Sequence, residues 1–168
     1  MTALRGASVA RAPARGRPGA SHRFLAHTAD AGFAVEARSL AGLLEESAAA
    51  LAELSSDRVA RPAGEPAGAE ETLVEEIVSL DAPDLASLVV AWLNELIGLG
   101  EVHRAAIDET RVESAAVRPA PRVSAVVRLT PYASGRARPR VGVKSATYHR
   151  LAVGRTDRAW HLTVYLDV

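Results

Sequence analysis

The 168-residue chain contains no cysteine, which excludes thiol catalysis, thiolate metal sites and disulfide bridges and leaves oxygen and imidazole as metal ligands. It has no excess of charge, with twenty basic against twenty acidic residues. The broad attraction used by nonspecific nucleic-acid binders is therefore missing, and any nucleic acid is expected to be held by a protein partner. Aromatic residues are only 4% of the chain, too few to promise a stacking platform for single strands. No apolar run approaches the roughly 20 residues that span a bilayer. Residues 1–21 lack the apolar core of a secretory signal, so the expectation is a soluble, cytoplasmic protein with no membrane contact. There is no Walker-type loop, G-x-G-x-x-G, H-E-x-x-H or G-x-S-x-G. Lysine is nearly absent as well: among the twenty basic residues the single lysine is Lys144. A compact ammonium in a chain that otherwise uses guanidinium marks that position for attention, against the plain alternative of codon bias with one chance survivor.

What is present is an ordinary globular composition, 48% hydrophobic and 24% charged, at a length suited to one domain with its own core. Residues 1–22 read as a flexible Arg/Ala/Pro-rich arm and residues 23–168 as a single domain. Phe24 and Leu25 suggest a short strand. Phe33, Val35 and Ala37 alternate with polar or small neighbours as a half-buried strand does. Ser39 is a plausible N-cap for a helix carrying Leu40, Leu43, Leu44, Ser47, Ala48, Leu51 and Leu54 on one face, ending near Ser55. Residues 61–70 read as a surface loop and residues 72–80 as a strand. A second helix starts near Asp84, with Leu85, Leu88, Val89, Trp92, Leu93, Leu96 and Ile97 on its apolar face and Gly98 and Gly100 as stop signals. Asn94 and Glu95 fall off that stripe and read as solvated or as part of a docking surface. Residues 105–117 suggest one or two short strands, residues 123–130 a good one, and residues 131–140 a loop. Residues 141–149 and 151–153 look strand-like, residues 154–158 like a turn, and residues 160–168 like a terminal strand. Helices between groups of strands predict an α+β two-layer sandwich, with two helices on one face of a mixed, largely antiparallel sheet.

Three polar groups stand out. His27, Thr28, Ala29 and Asp30 put an imidazole, a hydroxyl and a carboxylate just ahead of a strand, followed by a glycine that permits close approach. Asp167 lies beside Val168, whose α-carboxylate would share its volume; two such anions repel unless a positive charge intervenes. A hard divalent cation, Ca²⁺, Mg²⁺ or Mn²⁺, would satisfy oxygen-only ligands. Asp30 would be the third carboxylate if the first and last strands meet. The alternative is a solvated terminal acid and a turn-capping Asp30. Lys144 opens a polar stretch through His149. On a regular strand, Lys144 and Tyr148 would face away from Ser145, Thr147 and His149. Lys144 could bind phosphate or a partner's acid, while His149 could ligate metal, move a proton or simply hydrogen-bond in a sheet.

The order His27-Thr28-Ala29-Asp30, Trp92-Leu93-Asn94-Glu95-Leu96, Lys144 with Thr147-Tyr148-His149, and Leu166-Asp167-Val168 resembles the archease family over nearly all of residues 23–168. The departures are Ala31 and Phe33, where the family commonly has Val and Ile, the N-terminal arm, and a poor match over residues 105–140. The resemblance implies a metal-binding activator of the RtcB-type RNA ligase in tRNA splicing or RNA repair, promoting ligase guanylylation and multiple turnover without being the catalyst. RNA would then be met indirectly, through the ligase. It also implies a divalent cation, Ca²⁺ ahead of Mg²⁺ or Mn²⁺, at Asp30, Asp167 and Val168. Lys144 would be the functional lysine, and His149 and His27 would face the partner. The competing expectation is a metal-dependent phosphoester hydrolase using the same acids, with His149 or His27 as base.

Overall fold

The computed structural model describes residues 19–25, 31–60 and 73–168. Residues 1–18, the His27 to Asp30 tetrapeptide and the expected loop at 61–70 lie outside the described residues. In chain order the elements are β1 (Ala20–Leu25), β2 (Ala31–Ala37), α1 (Leu40–Ser55), β3 (Ser56–Arg58), β4 (Val74–Asp81), α2 (Leu85–Val102), β5 (Ala105–Ala116), β6 (Arg122–Pro131), β7 (Ala137–Pro139), β8 (Ser145–Ala146), β9 (Ala152–Arg155) and β10 (Trp160–Asp167). The class is α+β, and every pairing among the described strands is antiparallel. The strands divide into a five-stranded sheet ordered β1-β2-β10-β8, with β9 also on β10, a three-stranded sheet β4-β6-β5, and a small β3-β7 ladder.

The alternating strands and the two helical stripes form as their periods predict. Phe33, Val35 and Ala37 of β2, Val123, Ala125, Val127 and Leu129 of β6, and Leu162, Val164 and Leu166 of β10 are all buried in one core. Ser39 caps α1 by accepting from the Gly42 amide at 3.0 Å, and Asp84 caps α2 by accepting from Ser87 at 2.7 Å. The helices are tied together by the buried Trp92 indole, which donates to the Leu44 carbonyl at 3.1 Å. By length and composition α2 is apolar enough to cross a membrane, but its Leu88, Val89, Trp92, Leu93 and Leu96 are packed into the core.

Several boundaries differ from the sequence reading. Ala20, Ser21 and His22, assigned there to the arm, belong to β1 and pair with Ala37, Glu36 and Val35. Gly98 and Gly100 do not stop α2, which continues to Val102. Each interior glycine costs about 1 kcal/mol in a helix, offset here by core contacts. At Gly100 small size has a further use, since a Cβ there would sit 3.3 Å from the Ala105 carbonyl. The turn into β5 is instead made by Arg104 at φ 48°. Ala105–Ala116 form one long strand rather than one or two short ones, because bulges at Ile107/Glu109 and Val112/Ser114 restore its register on β6. The Glu45 carboxylate accepts from the Val112 amide at the second bulge, at 2.8 Å. The loop at 131–140 contains β7, whose pairing with β3 is non-local and leaves no period in the sequence. Residues 141–149 contain only the two-residue β8, and β9 runs to Arg155, inside the expected turn.

A buried charge pair also escaped the periodicity. Glu46 on α1 is 2% exposed; its Oε1 lies 2.8 Å from His22 Nδ1, while His22 Nε2 lies 3.4 Å from Glu53 Oε2. The hydrogen bond to Glu46 raises the His22 pKa above its ordinary 6.5, burial opposes this, and the charges of Glu46 and Glu53 add to the rise. The folded state therefore binds the His22 proton more tightly than the unfolded chain. Its stabilisation is complete below the ordinary histidine value and is lost as pH rises through the raised one. Urea midpoints measured between about pH 5 and 9 should fall across that window, and His22→Gln should remove this component. An unchanged pH profile in the variant would refute the assignment.

Candidate functional site at the end of the last strand

β2 and β10 lie side by side, so the two ends of the domain meet. Ala31 pairs with Leu166, Gly32 with Tyr165 and Phe33 with Val164. The closeness at Gly32 is obligatory: a Cβ there would stand 2.8 Å from the Val164 carbonyl and 2.9 Å from the Tyr165 ring. Asp30 itself lies outside the described residues, as does His27. What is described is that Ala31, to which Asp30 is bonded, is the register partner of the residue preceding Asp167.

On the other edge of β10, Asp167 pairs with Ser145 and Leu166 with Ala146. The Lys144 amide donates to the Asp167 carbonyl at 2.8 Å, and the Lys144 ammonium donates to the Val168 main-chain oxygen at 3.1 Å. Three of the sequence-nominated residues, Lys144, Asp167 and Val168, are thus brought together, and all three are exposed. The two-residue β8 does not impose the strand alternation expected across residues 144–149. Beyond it the chain bends, the Tyr148 hydroxyl reaching Ser87 Oγ at 3.3 Å on α2. His149 is exposed and outside any strand; its ring packs edge-on against Tyr165 at 6.5 Å, and the Arg150 guanidinium lies 5.9 Å from the same ring. His149 therefore stands near the C-terminal end of β10, on the side chain two residues before Asp167.

Asn94 is half-buried and engaged within the fold: its Oδ1 accepts from the Ala146 amide at 2.7 Å and its Nδ2 donates to the Ala146 carbonyl at 3.2 Å. One side-chain amide thereby completes both backbone groups of the residue at the centre of the Lys144 loop, as a neighbouring strand would. The signal available in the sequence was an amide beside the buried Trp92 and Leu93 on the second helix, where a solvated residue is more often charged. Glu95, its neighbour, is exposed as expected.

The donor set here is oxygen only, the Asp167 carboxylate and Val168, which suits a hard divalent cation. Among the described residues no group of three His, Asp or Glu side chains is placed to hold a metal. The Lys144 ammonium already places one positive charge on Val168.

A family model, the Archease protein family, matches residues 22–168. The chain belongs to the archease family. Protein archease from Methanopyrus kandleri is 33% identical over 144 residues, covering 84% of this chain and 95% of that protein. The archease of Methanosarcina acetivorans is 30% identical over 151 residues, with 89% and 97% covered. The solution structure of Methanobacterium thermoautotrophicum protein 1598 superimposes with a TM-score of 0.68 at 24% identity, covering 88% of this chain and 98% of the other. It shares the fold.

Asn94→Ala should leave both backbone groups of Ala146 without partners and lower stability by about 2 kcal/mol, read from urea unfolding. Asn94→Asp keeps the acceptor but not the donor and should fall between the two. Wild-type stability in Asn94→Ala would show that the clamp contributes nothing.

Proposed function

We propose that this archease is a non-catalytic activator of an RtcB-type RNA ligase, acting in the cytoplasm in tRNA splicing or RNA repair by promoting ligase guanylylation and multiple turnover. The observation that carries this reading is the exposed Lys144, Asp167 and Val168 cluster at the end of β10 in a chain of this family. The lysine is a mobile point charge suited to a nucleotide phosphate or to an acid on the ligase. Asp167 offers an acceptor beside it, and His149 and Arg150 extend the same surface past Tyr165. The Asn94 clamp on Ala146 sets the loop from which Lys144 projects. RNA is reached through the ligase, in keeping with the zero net charge. His27, three residues before Asp30 in sequence, is assigned to the partner-facing side with His149.

A divalent cation, Ca²⁺ before Mg²⁺ or Mn²⁺, would be held by Asp30, Asp167 and Val168, where it would supply positive charge for placing the ligase's nucleotide phosphates. The carboxylates would hold it, and Lys144 would share Val168 with it.

Asp30→Ala and Asp167→Ala should each abolish stimulation of ligase guanylylation and of multiple-turnover joining while retaining the wild-type melting temperature. Lys144→Arg should fail to restore activity, since a planar guanidinium does not replace a compact ammonium. Full stimulation by both aspartate variants would sink the metal-site reading. Phosphoester turnover by the isolated protein, lost in Asp167→Ala, would support the hydrolase alternative instead. Residues appended after Val168 should weaken Ca²⁺ binding, measured by calorimetry, with the fold retained; unaltered binding would remove Val168 from the ligand set.

A further inference from the structure

The five-stranded sheet turns one face to the core, where Phe33, Val35, Leu162 and Val164 pack with both helices. Register and alternation fix what the opposite face presents. Ser21, Glu36 and His161 form one cross-strand row, Arg23, Ala34 and Thr163 the next, and Leu25, Gly32 and Tyr165 the third, one step short of Asp167. Gly154 and Ala152 of β9 extend the first two rows. A hollow of about 240 Å³ is lined by Arg23, Ala34, His161 and Thr163, and a second of about 310 Å³ shares Ser21 and Glu36 with it and adds Arg38 and Arg158. The eight residues of β10 carry this face over about 25 Å to the Lys144 cluster.

Charge is sorted along it. Five exposed cations, Arg23, Arg38, Arg150, Arg158 and Lys144, stand against the exposed acids Glu36, Asp157 and Asp167, in a chain whose charges sum to zero. Pairing differs as well. Arg58, Arg111 and Arg128, on β3, β5 and β6, each hold a carboxylate, whereas among the described residues Arg23, Arg38 and Arg158 meet none. A guanidinium left open on a sheet face suits the bidentate geometry of a phosphate, and the neighbouring Ser21 and Thr163 hydroxyls are further phosphate donors. Beyond them Tyr165 lies half-buried, one ring edge over Gly32 and the Arg150 guanidinium 5.9 Å from its centre, the pairing of aromatic and arginine on which single-stranded bases stack. A protein partner would be centred on a large buried anchor, and in these rows the large aliphatic side chain is Leu25, at the margin.

We propose that this face binds single-stranded RNA, with phosphates on Arg23, Arg38 and Arg158, a base on Tyr165 and the strand running toward Lys144. The strand is the one the ligase joins, which rests on the ligase reading above and extends it: the activator touches the substrate that its partner holds. Zero net charge keeps the contact weak for the protein alone.

Fluorescence anisotropy of a fluorescein-labelled oligouridine tests it, with the full chain alone at low salt and with the ligase at higher salt. Saturable binding is expected in both. Combining Arg23→Ala, Arg38→Ala and Arg158→Ala, all at exposed positions, should weaken it roughly tenfold and flatten the dependence of log affinity on log salt by about 2, with an unchanged melting temperature. Tyr165→Leu should cost about tenfold, the scale of one base stack, and Tyr165→Phe should bind as the wild type does. Stimulation of ligase guanylylation, read without RNA, should persist in the triple variant. A wild-type protein that fails to stimulate would refute the ligase reading, while the RNA titration still decides the face. Unaltered RNA affinity in the triple variant or in Tyr165→Leu would overturn the site. So would equal affinity for duplex RNA, or a triple variant that loses the ligase and keeps the RNA.

Discussion

The antiparallel pairing of β2 with β10 is the constraint on which the rest of the molecule depends. It joins a strand from the start of the domain to its last strand, sets Phe33 against Val164 and Val35 against Leu162, and places those side chains in the core with both helices. Burying four such apolar side chains is worth roughly 1.5–3 kcal/mol each, before subtracting the entropy of closing so long a loop. The same register makes a one-residue slip prohibitive, since it would turn Phe33 and Val35 to solvent. Gly32 lets the strands approach where Tyr165 crosses.

The candidate site at the Lys144 end follows from that pairing through a short chain of contacts. β10 delivers Asp167 and Val168 to the domain's end, β8 pairs beside them, and Asn94 on α2 clamps β8 through Ala146. A rigid helix thus determines where a loop lysine stands, although only two residues of that loop are strand. Lys144 on Val168 and His149 against Tyr165 are held without burial. Both side chains remain exposed.

The molecule carries two electrostatic environments of different design. At the end of β10 the charges are exposed and a single ammonium faces the last residues of the chain. Between α1, β3 and β5 they are partly buried, with His22 embedded between Glu46 and Glu53. Net charge, which sums to zero, hides this separation because it averages over faces that fold apart.

Local patterns carried much of the architecture: the period of two in β2, β6 and β10, the helical stripes of α1 and α2, and the caps Ser39 and Asp84 each report on residues a few positions apart. The four short motifs also identified the family, and they named Lys144, Asp167 and Val168, which the fold brings together. What no local pattern contained was the partner of each polar group. Asn94 read as solvated or as part of a docking surface because its partner, Ala146, lies 52 residues away. The Glu46 partner, His22, stood in a segment read as an arm. β7 was invisible because three residues such as Ala137–Pro139 become a strand only when Ser56–Arg58 lies alongside. Periodicity shows which face of an element is apolar. Which polar atoms end up facing one another is decided by long-range packing, and in this protein that packing assembled the Lys144 end of the domain and the cluster of His22 with Glu46 and Glu53.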